Sequence, residues 1–376
     1  MALTKALIEA YLDANIILAV SAAVWVCASA LLARTAVAGA YRAHLRLAKV
    51  TLLVTLASPI LALAVSYGIG ALVPHAATTL TDIAVARYLD GGVRLDAVTV
   101  ETWLNLRQSF ILDLVYARSL GAQLLLVGLG AGAALCALWV GLQILRLRQL
   151  LASSYLWRRI GRVDLRLSDR VVVPFSTRGL FRRHVVIPSA MVTDGPALRL
   201  VLAHEFEHFR RGDLEWEVFA VALRPLFFWN PGYWLWARAL ERLRELGCDQ
   251  ALVQRRQISP IAYGRCLLDV CARARKTGQA ETLVMPKVSF LSPGKAKRNA
   301  AFLRQRIDAI SLQASDEPVR LSAMIMAFGV MGVVLILSAA ALQRPSDWSQ
   351  DRLMLSTIAN LERFQSSSFG ARPVGY

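Results

Sequence analysis

The sequence predicts a mainly α-helical polytopic membrane protein, with four transmembrane helices and one cytoplasmic α+β domain between the third and the fourth. Three observations carry that expectation. The 376 residues are 56% hydrophobic, above the roughly 45–50% of ordinary soluble domains. Four stretches, 14–33, 47–73, 120–145 and 321–342, reach the length of about 20 apolar residues that a bilayer requires. Most of the net charge of +17 falls in residues 146–320, which hold 30 Lys and Arg against 16 Asp and Glu.

The first stretch is preceded by Lys5, Glu9 and Asp13 and followed by Arg34, Arg42, Arg46 and Lys49. Cytoplasmic flanks carry the positive excess, so the N-terminus is expected outside. Ala36-Val37-Ala38 resembles a cleavage site, but a signal peptide needs a positive segment ahead of its apolar core, and this chain has a negative one. Lys49 is the only charge inside any of the four stretches. Residues 74–119 carry a net −1 and read as an external loop. The third stretch contains Gly128 and Gly132, a spacing suited to helix packing. The expected organisation is therefore a three-helix membrane region 1–145, a cytoplasmic domain 146–320, a fourth span 321–342 and a short external tail 343–376.

Within 146–320, the basic excess fits positive-inside bias and contact with anionic lipid. No helix-turn-helix or aromatic-interleaved basic motif accompanies it, so direct nucleic-acid binding is not expected. The cysteines form no CxxC pair, which argues against a disulfide framework. Residues 146–162 read as a helix continuing the third span. Residues 163–167, 171–175 and 184–188 are β-branched runs bounded by Pro and Gly, a short hairpin or small sheet. Such a sheet either packs structurally on the helices or offers an edge to an extended peptide.

Thr193-Asp194-Gly195-Pro196 is a helix-start signal. Residues 216–240 hold four of the nine tryptophans but are interrupted by Arg224, Pro225, Asn230 and Pro231, which suggests a helix pair at the membrane interface. Further helices are expected from Glu241 and beyond Ile258. Residues 285–306 form a basic loop that turns helical before the last span.

The helix opened at 194 contains His204-Glu205-Phe206-Glu207-His208, an HExxH motif. Residues i and i+4 share a helix face, so both imidazoles reach one ion. Glu205 lies about 100° around the helix and can act on a water as general base without binding the metal. Glu207 reads as a solvated or headgroup-facing charge. A catalytic zinc needs a third protein ligand and an open position. Glu245 is the candidate, with Asp249 one turn further on the same face, placed to accept the outer N–H of a ligand histidine. Arg242 and Arg244 beside them leave open the alternative of an ion-paired helix face. Cys248, His184 and His44 read as structural.

HEFEH, Arg211-Gly212-Asp213, the aromatic stretch with Asn230-Pro231 and Trp234, and Glu245-Leu246-Gly247-Cys248-Asp249 together resemble the integral-membrane metallopeptidases of the bacterial β-lactam sensor-transducer (BlaR/MecR) type. The strand-loop-strand with Pro174, Gly179 and Pro188 and the order of the spans are similar to that family as well. The resemblance implies a gluzincin-like endopeptidase in the bacterial inner membrane with one zinc per chain. It also implies a protein substrate, a cytoplasmic transcriptional repressor, and self-cleavage within about 285–306. Two other readings stay open: a housekeeping quality-control protease, and a non-catalytic receptor stabilised by zinc. The full-length sensor-transducers carry an external penicillin-binding domain. The 34 residues after Leu342 contain no lysine and fall short of the roughly 100 residues a domain needs, so β-lactam reception is not expected.

Overall fold

The computed structural model describes residues 2–35, 38–72, 97–179, 181–256, 258–276, 296–311, 329–334, 354 and 356–361. The chain divides into two compact units. The first comprises Met1–Ser21, Thr51–Gly130 and Phe328–Tyr376, and the second Ala22–Val50 and Ala131–Ala327. Three long helices run through both ranges: α1 (Ala2–Leu32), α2 (Tyr41–Leu72) and α4 (Leu120–Ala152). Helix α3 (Ala97–Tyr116) belongs to the first unit.

Among the described residues, two helical stretches are long and apolar enough to cross a membrane, Leu7–Leu32 and Leu120–Ala152. They cover the third expected span and all but the last residue of the first. None of the best apolar window of the second is buried, and Leu124, Val127, Leu135 and Leu138 stand exposed along it. A helix can leave so much apolar surface uncovered where its surroundings are lipid. The four-span expectation is thus met only in part. The second stretch, but for its last residue, lies in α2, whose side chains are described only to residue 59; most of 321–342, residues 73–96 and most of the tail lie outside the described residues. In the first unit, Ser119 caps α4: its hydroxyl accepts from the Ala122 N–H at 3.0 Å and donates to Asp113 at 2.5 Å.

The second unit holds a four-stranded sheet and helices α5 (Gly195–Arg210), α6 (Asp213–Phe227), α7 (Pro231–Arg256), α8 (Pro260–Lys276) and α9 (Ala296–Ser311). The strands are β1 (Tyr155–Ile160), β2 (Val163–Ser168), β3 (Phe175–Arg178) and β4 (Arg183–Pro188), in the order β1-β2-β4-β3. The β1–β2 and β3–β4 pairs are antiparallel, whereas β2 and β4 run parallel. The sheet is therefore mixed, more than a hairpin.

Strand β4 explains its own apolar run. Val185 and Ile187 face a core with Leu198, Val201 and Phe209 of α5, while Val186 packs with Phe175 of β3 and Leu150 of α4. A strand covered on both faces has no polar side to alternate. The helix expected over 146–162 ends at Ala152, and Tyr155, Trp157 and Ile160, aromatic and β-branched, enter a strand instead. Residues 171–174 stay irregular, and only Phe175 of that run joins β3.

Helix α5 begins where expected. The Asp194 carboxylate accepts from the Ala197 N–H at 3.2 Å, and Pro196 sits in the first turn. The tryptophan-rich segment forms α6 and the start of α7, with Pro225 in the last turn of α6 and Pro231 opening α7. Helix α7 then runs unbroken to Arg256, so the aromatic anchor and the ExxxD pair, expected on separate helices, share one rigid rod. Arg224 stacks on Trp139 and Trp234.

Glu215, in the first turn of α6, accepts from Arg183 at 2.9 Å and from Arg178 at 3.2 Å, joining α6 to β3 and β4. Partial burial alone would raise its pKa, but its own backbone N–H, Arg183 and Arg178 outweigh that and lower it. A lowered folded pKa gives stability that is present above the ordinary carboxylate value of about 4.3 and is lost as pH falls through the folded value. Glu215→Gln should therefore destabilise the protein at neutral pH by less than about 1 kcal/mol, the range of screened pairs. In thermal unfolding, the difference from the parent should be present at neutral pH and shrink as pH falls below the ordinary carboxylate value and through the lowered folded one.

Candidate metal centre

Helix α5 carries both histidines on one face, and their Nε2 atoms lie 3.1 Å apart. Helix α7 brings Glu245 opposite them, with Oε2 3.5 Å from His204 Nε2 and Oε1 3.6 Å from His208 Nε2. Ligands about 2.0–2.1 Å from a tetrahedral zinc lie about 3.3–3.4 Å from one another, so the three donors match that ion in spacing as well as chemistry.

The outer ring nitrogens are occupied. His208 Nδ1 faces Asp213 Oδ2 at 3.0 Å. His204 Nδ1 faces Tyr263 Oη at 2.8 Å, and the tyrosine hydroxyl donates to Asp249 Oδ1 at 2.6 Å. Because that hydroxyl hydrogen is spent on Asp249, the His204 Nδ1–H donates to Tyr263. With both Nδ1 atoms as donors, both Nε2 lone pairs point at the shared space, the tautomers a metal requires.

Asp249 therefore acts on His204 chiefly through Tyr263, its own Oδ1 lying 3.5 Å from His204 Nδ1. Asp249 is fully buried and accepts two bonds from Arg306 of α9, at 2.6 and 2.7 Å. Arg306 also lies 3.5 Å from Glu245, and Arg244 lies 3.3 Å from it. The arginine next to Glu245 does pair with it, yet both are buried, so the pair is not a solvated helix face.

Electrostatics follow from this enclosure. Burial alone would raise the Glu245 pKa, but His208, His204, Arg306 and Arg244 hold it well below the usual carboxylate range. Burial penalises a charged His204, yet Cys248, Glu245 and Asp249 more than offset it and raise its pKa well above the ordinary value. Asp213 is likewise lowered, because His208, Arg211 and Lys49 outweigh its desolvation. The surroundings favour a cation at the paired Nε2 atoms.

Glu205 is buried, 6% exposed, one position along α5 from His204. Glu207 departs from expectation. It is buried too and lies 3.5 Å from Arg255, because α7 covers the face of α5 that the motif alone leaves open. Cys248 is fully buried as expected, but it belongs to the cluster. Its Sγ lies 3.6 Å from His204 Nδ1 and donates to the His204 carbonyl at 3.5 Å, and with the two histidines it forms a group whose candidate ligand atoms lie within 4.8 Å of one another. His184 and His44 stand elsewhere, His184 3.7 Å from Asp164.

Sequence reasoning used Asp213 only as part of the family signature and Lys49 only as a topological charge, and assigned no role to Tyr263 or Arg306. Asp213 carried a signal: the glycine before it. Gly212 adopts φ +65°, a left-handed conformation that favours glycine. It ends α5 and starts α6 so that Asp213, five residues after His208, turns back onto its ring.

Two histidines and a glutamate converge inside a helical protein that has two apolar helices of membrane-spanning length among its described residues. The chain belongs to the BlaR1 peptidase M56 family, whose model matches residues 15–289; membership implies a metal cofactor. No curated protein matches the chain.

The bond from Asp213 fixes the His208 ring. Asp213→Asn should leave the fold intact by thermal unfolding and weaken metal retention roughly 10–100-fold in chelator competition, as changes to ring-orienting partners do.

Proposed function

We propose that the chain is a membrane-embedded zinc endopeptidase in which His204, His208 and Glu245 hold one zinc ion and Glu205 is the general base. The observation that carries this reading is the pair of Nε2 atoms aimed at one point, with both Nδ1 atoms engaged and a carboxylate opposite. Cys248 is the weaker third ligand because its sulfur sits on the Nδ1 side of His204. A zinc ion at this place supplies Lewis acidity, polarising a carbonyl and bringing the pKa of water toward about 7.

Glu205 takes a proton from water as its oxygen attacks the scissile carbonyl, and returns that proton to the departing amine. A structural zinc site has no use for such a base, and this favours catalysis over a merely stabilised receptor. Asp213 and Tyr263 keep the ligand rings in register throughout. The substrate class that fits the family is a cytoplasmic repressor in a signalling pathway; half of the expected self-cleavage window, about 285–306, lies outside the described residues, and the rest belongs to α9. The protease unit faces the cytoplasm of the inner membrane, and both termini lie outside.

Glu205→Gln should retain the metal while cleavage falls by roughly 10²–10⁴, the contribution of a positioned acid–base group. Loss of zinc, or full activity, would refute the assignment. In the native host, Glu205→Ala should make a helix-turn-helix repressor accumulate uncut; accumulation of unrelated misfolded membrane proteins would point to quality control instead. For topology, the single substitutions Lys5→Cys, Asp90→Cys and Asn360→Cys should react with an impermeant thiol reagent in intact cells. Labelling only after permeabilisation would reverse the orientation.

A further inference from the structure

The carboxylates that aim the two histidines are each held by a cation from outside the helix pair α5–α7. Asp213, which fixes His208, lies 3.2 Å from the Lys49 ammonium. Lys49 belongs to α2 and is the one charge in the expected second span. Asp249, which fixes His204 through Tyr263, takes both of its guanidinium bonds from Arg306 of α9. That helix precedes the expected fourth span in sequence.

Both cations are set in packed surroundings. The Lys49 side chain is 15% exposed and its ammonium lies 5.3 Å from the centre of the Trp216 ring. Arg306 is 5% exposed, and one helical turn further along α9 Ile310 packs with Ala203, Leu252 and Tyr263. A charged ammonium or guanidinium has no lone pair to give a metal, so neither cation serves as a ligand. Each acts at one remove, through a buried carboxylate whose charge needs a partner.

We propose that Lys49 and Arg306 are positioning residues that make the metal centre conditional on where α2 and α9 sit. With both cations in place, Asp213 and Asp249 are oriented and each histidine presents its Nε2. Withdrawal of either helix takes an orienting cation from a buried carboxylate, leaving Asp213 with the longer contact to Arg211 at 3.9 Å, and loosens the ring it held. A displacement of a membrane helix is thereby converted into a change in metal affinity, with no need to move α5 or α7. This inference rests on the metal-site reading above.

The test uses the full-length protein in detergent micelles, loaded with zinc and titrated with a chelator, with thermal unfolding run in parallel. Lys49→Gln and Arg306→Gln should each weaken zinc retention by about 10-fold or more, and Lys49→Arg should recover most of the loss. Lys49 should act through Asp213, so Lys49→Gln should add little to Asp213→Asn; Arg306 also lies 3.5 Å from Glu245, so Arg306→Gln should add only part of its own effect to Asp249→Asn. Parental retention in both glutamine variants, or fully additive losses in the pairs, would overturn the proposal. If Arg306→Gln does not fold, Arg306→Lys decides: it keeps the charge but not the two-pronged bond, so it should still lose zinc, and parental retention there would overturn the role of Arg306. Zinc retention needs no substrate. A protein that holds zinc in this pattern yet cuts nothing would therefore defeat the proposed activity and leave this inference standing.

Discussion

Three acids, Asp213, Glu245 and Asp249, are buried within a few ångströms of two histidines, and the need to neutralise them organises this part of the molecule. An isolated buried carboxylate is costly, and stripping the partner from a buried ion pair typically costs about 3–5 kcal/mol. Here every one of the three has a cation or a ring N–H against it: Lys49 and His208 at Asp213, Arg244 and Arg306 at Glu245, Arg306 and Tyr263 at Asp249. Those partners come from α2, α5, α7, α8 and α9, so satisfying the charges recruits elements far apart in sequence.

The same arrangement sets the chemistry. Because the outer nitrogen of each imidazole is committed to a partner, the inner nitrogens face one another 3.1 Å apart, where a shared proton or a metal ion can sit between them. Leu198, Val201 and Phe209 seat α5 against β4, which places the histidine face toward α7 and its carboxylates. Small backbone features serve the same end. A side chain at Gly247 would meet the Arg211 guanidinium at 2.8 Å, so the glycine between Glu245 and Asp249 leaves room for that guanidinium.

Some departures between expectation and structure have one cause: residues whose neighbours are supplied from elsewhere. Glu207 reads as a surface charge until α7 packs over it, and Cys248 reads as core packing until α5 brings His204 to its sulfur. The segment after Ala152 reads as more helix because Arg146, Arg148, Arg158 and Arg159 give it a uniform basic character, whereas pairing with β2 makes 155–160 a strand.

By itself the sequence determined what local periodicity and spacing encode. It placed the capped start of α5 at Asp194, both histidines on one helical face with Glu205 beside them, the i, i+4 relation of Glu245 and Asp249, and the first and third long apolar helices. Each of these follows from residues within a few turns of one another, where helix geometry alone fixes relative position. Tertiary structure decided everything that depends on contact across long separations. Only the folded chain shows that Asp249 reaches His204 through Tyr263, that Arg306 and Lys49 hold the orienting acids, and that β2 and β4 run parallel. Those partners lie 14 to 164 residues away along the chain, and no local pattern specifies which buried carboxylate a distant cation will meet.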